Sequence, residues 1–325
     1  MRLKPKKGHS IMKRILLLFS QNAIDRATAE PQRLAELLEN SSSTGGLEVA
    51  CAVYDNLVHI ISKEATTIID SQSGKDISDC DLVYQRRWQD MPDQAKACAT
   101  YLTKKGVPNI DREAFVTASK NKLTQMWQLW AADLPIPGTV YAGGKNGLRW
   151  ILEHLSDLPF AFPMVVKAVD ATRGQHNHLV ADRTALQAIF DAYPDKAFLI
   201  QECIPNDGDY RILVAGDQAH LAMYRQAAAG THTNNTSQGG QATLVDLATI
   251  APAVIRDCIA AAKVFNRDFA GVDVVLHNTS GKHYFFEVNR APQIESGKFV
   301  EEKAAVLAAY LYSCADQNNR EERVV

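Results

Sequence analysis

The chain has 325 residues, of which 46% are hydrophobic and 22% charged. That composition excludes wholesale disorder and supplies apolar surface for two or three packed subdomains rather than one small core. Lys and Arg number 35 against 37 Asp and Glu, a formal charge of −2, so there is no general attraction to nucleic acid or an anionic membrane, and any anion site has to be built locally.

At the start of the chain Lys4, Lys6, Lys7, Lys13 and Arg14 precede the apolar run Ile15 to Phe19, an order shared with secretory signals. The run is too short for a signal core and Asp25 and Arg26 follow closely, so it reads as a buried first strand. Met12 is an alternative start, with the residues before it a loose extension. No stretch approaches the roughly 18 apolar residues of a membrane span. Cys51, Cys80, Cys98, Cys203, Cys258 and Cys314 are scattered without C-x-x-C or zinc-like spacing, which predicts reduced thiols in a cytoplasmic protein.

The first third alternates apolar runs with amphipathic stretches: Ile15 to Phe19, Arg33 to Leu38, Leu47 to Val53, Asp81 to Tyr84 and Gln94 to Leu102. This predicts a small open α/β sheet, and Gly106 suits the left-handed position that closes its last helix. Lys120 to Ala132 reads as a helix stopped by Pro135 and Pro137. Thr139 to Tyr141 follows as a strand and Asn146 to Leu155 as a helix. Beyond Pro163 strands are expected at Met164 to Lys167, Phe198 to Glu202, Tyr210 to Val214, His220 to Arg225, Ala270 to Leu276 and Tyr284 to Asn289. Helices are expected at Arg183 to Tyr193, Pro252 to Phe265 and Val300 to Leu311. With hairpin turns at Gly216-Asp217 and Ser280-Gly281, this mixture predicts α+β sheets rather than a second doubly wound sheet. The charged tail from Asp316 is expected to fray.

Chemistry concentrates in Gly271-Val272-Asp273-Val274-Val275 and Phe285-Phe286-Glu287-Val288-Asn289. Residues two apart on a strand share a face, so Glu287 and Asn289 project together while Phe286 and Val288 point into the opposite layer. With Asp273 on the neighbouring strand, the set offers oxygen ligands to a hard cation such as Mg²⁺. Solvent-facing polar residues on a half-buried hairpin are the alternative, although Asp273 interrupts an aliphatic run where an unpaired charge is expensive.

Lys167 ends an apolar run and is followed by Asp170-Ala171-Thr172-Arg173-Gly174-Gln175, a loop whose amides suit an anion; a solvated strand-end lysine is the alternative, as it is for Lys122. Phe198 to Pro205 turns from apolar to polar, as a strand does on leaving the core, and offers backbone groups to a planar base. Asp209 is placed to accept from ribose hydroxyls with Arg211 directed at a charged centre, or the two form a weak surface pair. Ala227 to Gln241 is polar and Gly-bearing, a lid or a disordered loop.

In chain order, Asn121-Lys122 with Ile136-Pro137, Val165-Val166-Lys167, Gln201-Glu202-Cys203-Ile204, Asp209-Tyr210-Arg211, Arg225, Asn235 with Gly239-Gly240, Ala270-Gly271-Val272-Asp273 and Glu287-Val288-Asn289 resemble the motif series of the ATP-grasp superfamily, in its RimK-type branch of carboxylate-amine ligases. The likeness runs from about Asn121 to Leu311. It implies a pre-ATP-grasp α/β domain over 12–118 and an ATP-grasp fold of two α+β subdomains, the smaller with the hinge over 119–204 and the larger with the metal site over 205–314. It implies Lys122 and Lys167 on ATP phosphates, Glu202, Cys203 and Ile204 at the adenine hinge, Asp209 near the ribose, Asn235 near the triphosphate, and Asp273, Glu287 and Asn289 as magnesium ligands. Arg225 matches a family arginine assigned to the acyl phosphate or tetrahedral intermediate, with Arg211 a second candidate.

The implied reaction joins a small-molecule or peptide carboxylate to an amine through an acyl phosphate, releasing ADP and phosphate. ATP and two Mg²⁺ ions serve it, Mn²⁺ being an alternative, without nucleic acid or membrane and with homo-oligomerisation left open. Three departures stand out: Arg173, Gln175 and His176 around Gly174 where the family carries several glycines, Thr233 where it has an arginine, and Arg290-Ala291-Pro292-Gln293 after the metal-site asparagine. A small-molecule kinase on the same fold and a nucleotide-binding protein with a decayed site are the rival readings.

Overall fold

The structure, a computed structural model, describes residues 11–26, 29–41, 46–62, 66–116, 121–169, 176–227 and 241–321, with side chains up to residue 317. The chain divides into two compact units: residues 1–118 with 266–269 and 293–325, and residues 119–265 with 270–292. Among the described residues no helix is long and apolar enough to cross a membrane.

The first unit begins with β1 (Lys13–Phe19), α1 (Gln21–Asp25), α2 (Pro31–Ser41), β2 (Leu47–Val53), β3 (Leu57–Ile60), β4 (Thr67–Asp70), β5 (Leu82–Gln85), α3 (Pro92–Lys104) and β6 (Asn109–Ile110). Strands β2, β1, β5 and β6 lie side by side in that order, all parallel. Ile15, Leu17, Leu18 and Phe19 are all buried; an unbroken apolar run suits a parallel strand covered on both faces. Gly106, at φ +73, closes α3 as expected, and the next amide, of Val107, donates to Leu102 O at 2.9 Å. The β3–β4 hairpin was not legible, because its four-residue strands place Val58 and Ile60 at the surface and so present no inward apolar alternation.

The second unit runs through α4 (Lys122–Ala131), β7 (Thr139–Ala142), α5 (Lys145–Glu153), β8 (Met164–Ala168), β9 (Asn177–Val180), α6 (Arg183–Ala192), β10 (Phe198–Glu202), β11 (Asp209–Ala215), β12 (Gln218–Gln226), β13 (Gln241–Val245), α7 (Pro252–Val264), β14 (Phe269–Leu276) and β15 (His283–Asn289). These strands make two antiparallel sheets, β7-β10-β8-β9 and β13-β12-β11-β14-β15. Leu148, Ile151, Leu186 and Phe190 of α5 and α6 bury one face of the first sheet against Val166, Phe198 and Ile200. Met126 and Leu129 of α4 and Val254, Cys258 and Ala261 of α7 join Ile212, Val272, Val274, Phe285 and Val288 of the second sheet in another core. Each fully buried Val, Leu, Ile, Phe or Met side chain among these contributes about 1.5–3 kcal/mol. The opposite face of the second sheet is left for polar residues.

The last helix, α8 (Val300–Glu321), belongs to the first unit and corrects the expectation of a frayed tail from Asp316. Lys13 is 1% exposed and its ammonium meets Asp316 at 3.1 Å. A buried cation needs a counter-charge, so the lysine that looked like part of a signal anchors the end of the helix instead.

Candidate active site

The polar face of the second sheet is set by two bulges. Near the turn Ala215 opposes Gln218 and Val214 opposes Ala219, but beyond the irregularity Leu213 opposes Leu221 and Asp209 opposes Arg225. Continued without the extra residue, His220, the register would have put Asp209 opposite Tyr224. In the next hairpin Val274 opposes Phe285 and Asp273 opposes Glu287, with Phe286 the extra residue. Because side chains alternate with a period of two, a one-residue slip moves a whole strand's set to the other face. The bulges therefore bring Arg225 onto the face of Asp209, and Glu287 with Asn289 onto the face of Asp273.

This also corrects the placement of Phe286. The core-facing pair on β15 is Phe285 and Val288, while the Phe286 ring takes the Lys167 ammonium at 4.5 Å from its centroid. Two adjacent aromatics before a polar residue break strand periodicity, and that doublet was the available signal for a bulge.

A chain of alternating charges crosses the face. Arg211 Nε donates to Asp273 Oδ1 and Nη2 to Oδ2, both at 2.7 Å. Arg225 Nη2 reaches Asp273 Oδ1 at 3.2 Å, while its Nε and Nη2 donate to Asp209 Oδ1 and Oδ2 at 2.8 and 2.6 Å. Asn289 Nδ2 donates to Asp273 Oδ2 at 3.3 Å, which directs the amide nitrogen at Asp273 and leaves the amide oxygen for a cation. Burial alone would raise the Asp273 pKa, but Arg211 and Arg225 outweigh it and hold the carboxyl below its ordinary value. Burial raises Asp209 despite Arg225, whereas Arg225 is held above its ordinary value by Asp273 and Asp209 against burial. The short paired N–H···O contacts are those of the ionised pair.

Gly271 makes room for this chain. A Cβ there would lie 2.9 Å from Pro292 Cβ and 3.7 Å from Arg211 Cδ, so a side chain would press on the segment after Asn289 and on the stem of Arg211.

Lys167 lies on the face of β8 turned away from α5 and α6, opposite Leu199 in the register. Part of its surface is accessible, yet it sits deep among protein atoms. Desolvation lowers its pKa to about 8, with Glu287 opposing the shift and Lys122 adding to it. Lys122 is the first residue of α4, whose N-cap Asn121 accepts from the Thr124 amide at 3.1 Å. At the end of β10, Glu202 is tied to Gly138 by its own amide at 2.8 Å and by its Oε2 at 3.2 Å. Ile204 is buried, and its carbonyl accepts from Asn206 Nδ2 at 2.7 Å. Cys203 is partly buried, and desolvation raises its thiol pKa.

The second unit thus brings together Lys122, Lys167, Asp209, Arg211, Arg225, Asp273, Glu287 and Asn289. Asn235 and Thr233, Gly239-Gly240, and the segment from Asp170 to Gln175 lie outside the described residues. Asp209, expected near a ribose, has both carboxylate oxygens on Arg225. No cluster of three His, Cys, Asp or Glu suited to a metal occurs among the described residues. The candidate cation site instead combines two carboxylates with the amide of Asn289, and Glu287 makes no hydrogen bond or ion pair among the described residues. Those hard oxygens fit Mg²⁺, which completes its shell with water and phosphate.

Residues 119–309 match the family model of the RimK-like ATP-grasp domain. The chain is 31% identical over 227 residues, 69% of its length and 74% of the relative's, to a probable alpha-L-glutamate ligase 1 of Shewanella denitrificans. In fold it is similar to the ATP-grasp ligase PsnB complexed with minimal precursor, Mg and ADP, with a TM-score of 0.65 and 15% identity over 93% of this chain and 97% of that one. It is also similar to the D-alanine-D-alanine ligase of Coxiella burnetii, with a TM-score of 0.61 and 14% identity over 98% and 97%. The chain belongs to the RimK-like ATP-grasp family and is an ATP-dependent ligase.

Proposed function

We propose that the protein uses Mg·ATP to convert a substrate carboxylate into an acyl phosphate and transfers the acyl group to an amine. The observation that carries this reading is the convergence of Lys167 with Asp273, Glu287, Arg211 and Arg225 in one unit. Lys122 and Lys167 hold the phosphates, and Glu202, Cys203 and Ile204 offer the backbone edge that takes the base, with Asn235 assigned to the triphosphate. We assign 12–118 to a preceding domain, 119–204 to a small subdomain and 205–314 to a large one.

Asp273, Glu287 and Asn289 would hold Mg²⁺, two ions in this reading, which supplies charge neutralisation on the transferring phosphoryl group. A carboxylate oxygen attacks the γ-phosphorus, the bond to the β-phosphate oxygen breaks and ADP leaves. The amine nitrogen then attacks the acyl carbon, inorganic phosphate departs and the amine loses a proton. Arg225, with Arg211 beside it, faces the negative charge that develops on the acyl oxygen, an interaction effective when the donors are already oriented. No covalent intermediate on a side chain is needed.

The name borne by the Shewanella denitrificans relative makes glutamate the first substrate to try. The test is incubation of the purified chain with Mg·ATP, glutamate and panels of amino acids and peptides, following ADP, phosphate and the mass of the product. Amide product in step with ADP supports the ligase; ADP with a phosphorylated hydroxyl compound and no amide means a kinase.

A further inference from the structure

We infer that Gln125 is a positioning residue that pins the bulge of β15 and so aims the Glu287 carboxylate at the cation site; the inference rests on the reading of Glu287 as a cation ligand above. β15 is the outermost strand of its sheet, so amides on its free edge need acceptors from elsewhere. The Phe285 amide donates to Pro135 O at 2.8 Å and the Val288 amide to Gln125 Oε1 at 3.0 Å. These residues flank the bulge, in which Phe286 is the extra residue and Glu287 opposes Asp273. A bulge interrupts the ladder that would otherwise fix the backbone, and the contacts from outside the sheet hold the stretch at each end.

Glu287 depends on that hold more than its neighbours do. Asp273 is gripped by Arg211 and Arg225 and Asn289 is tied to Asp273, whereas Glu287 makes no hydrogen bond or ion pair among the described residues. Its carboxylate is aimed by the backbone that carries it. Gln125 is placed to set that backbone, because Met126 and Leu129 fix α4 in the core that also takes Phe285 and Val288. Gln125 is 8% exposed, and its side chain makes no other hydrogen bond among the described residues. A polar side chain is costly at such a place unless it satisfies a partner, and here the partner is the amide next to Glu287. Gln125 also stands one turn after Lys122 on α4. Residues three apart share a helix face, so the helix links the phosphate lysine to the strand of the cation site.

The test compares the full chain with Gln125→Met, Gln125→Glu, Glu287→Gln and the double variant Gln125→Met/Glu287→Gln. Binding of Mn²⁺ in the presence of ADP is measured by electron paramagnetic resonance. Hydrogen–deuterium exchange of the metal-free proteins is read by mass spectrometry over Phe285 to Asn289, with Gln218 to Gln226 of β12 as the internal control. Gln125→Met keeps the length and removes the acceptor; thermal melts accompany each variant, and Gln125→Asn, too short to reach the amide, gives the same comparison should Gln125→Met not fold. The expected result is that Gln125→Met weakens Mn²⁺ binding about 10-fold, as loss of a residue behind a metal ligand does, and speeds exchange at Phe285 to Asn289 but not in β12. Gln125→Glu, which keeps an acceptor at the same reach, restores the protection and most of the affinity. In the Glu287→Gln background the Gln125→Met change costs less than about threefold, because it acts through Glu287. The inference is overturned if Gln125→Met leaves the exchange as in wild type, if it leaves Mn²⁺ affinity intact where Glu287→Gln weakens it, or if its cost is the same with and without Glu287. Mn²⁺ affinity that Glu287→Gln does not change would defeat the cation-site reading instead, and the hold of Gln125 on the bulge would still be decided by the exchange.

Discussion

The Lys167 ammonium rests on the ring of Phe286, 4.5 Å from its centroid, so a cation from one sheet of the second unit is seated on the extra residue of a bulge in the other. A desolvated cation–π contact is worth about 0.5–2 kcal/mol. Phe286→Leu keeps the apolar volume and loses the ring face. The expected outcome is a KM for Mg·ATP raised roughly fivefold, from about 1 kcal/mol, with kcat little changed and Phe286→Tyr near wild type. Steady-state kinetics in Mg·ATP check it.

Lys167 also gives the enzyme a pH limb. Burial brings its pKa down to about 8, and the charged form is the one that holds phosphate. As pH rises through about 8 the free enzyme loses that charge, so kcat/KM for Mg·ATP falls on the alkaline side. Lys167→Arg, whose guanidinium stays protonated, removes the limb even if activity is lower throughout. A pH profile of the two proteins decides.

Glu287 faces Asp273 across the bulged hairpin and is the carboxylate that no arginine occupies. Glu287→Gln keeps shape and removes charge from the candidate cation site. Turnover should fall by at least about 10²-fold, given the several kcal/mol that a bound metal supplies. The melting temperature should change little without added Mg²⁺. Parallel assays and melts with and without Mg²⁺ separate the two effects.

In the first unit the Arg86 guanidinium and the Glu295 carboxylate meet at 3.0 Å with side-chain exposures of 0% and 4%. Burial would disfavour the Glu295 anion, but Arg86 and backbone donors hold its pKa below the ordinary value. Glu295→Gln removes the negative charge that faces the buried guanidinium, a change that costs roughly 3–5 kcal/mol. Denaturant unfolding should show that loss, and replacing Arg86 by Met in the same chain should recover part of it.

Much of this was legible in the sequence. The unbroken run Ile15 to Phe19 gave a buried parallel strand, and the alternation through Glu287, Val288 and Asn289 gave a shared polar face. What pattern could not give was register. Arg225 meets Asp209 and Glu287 meets Asp273 only because each hairpin gains a residue, and a bulge is decided by packing and twist more than by local composition. Arg211 was expected at a charged centre and does meet one, Asp273. Asp209 was expected near a ribose, with a surface pair to Arg211 as the alternative; the arginine on its carboxylate is Arg225, sixteen residues away. Lys13 misled because a buried lysine and a surface lysine look alike until its counter-ion, Asp316, is placed beside it.

The measurement that bears most directly on the central claim uses a substrate acid labelled with ¹⁸O in its carboxylate, turned over with Mg·ATP and an amine. Attack on the γ-phosphorus followed by departure of phosphate from the acyl carbon moves one labelled oxygen into inorganic phosphate for each amide formed. The account predicts that transfer, read by mass spectrometry of the phosphate. Amide formed with unlabelled phosphate would contradict it.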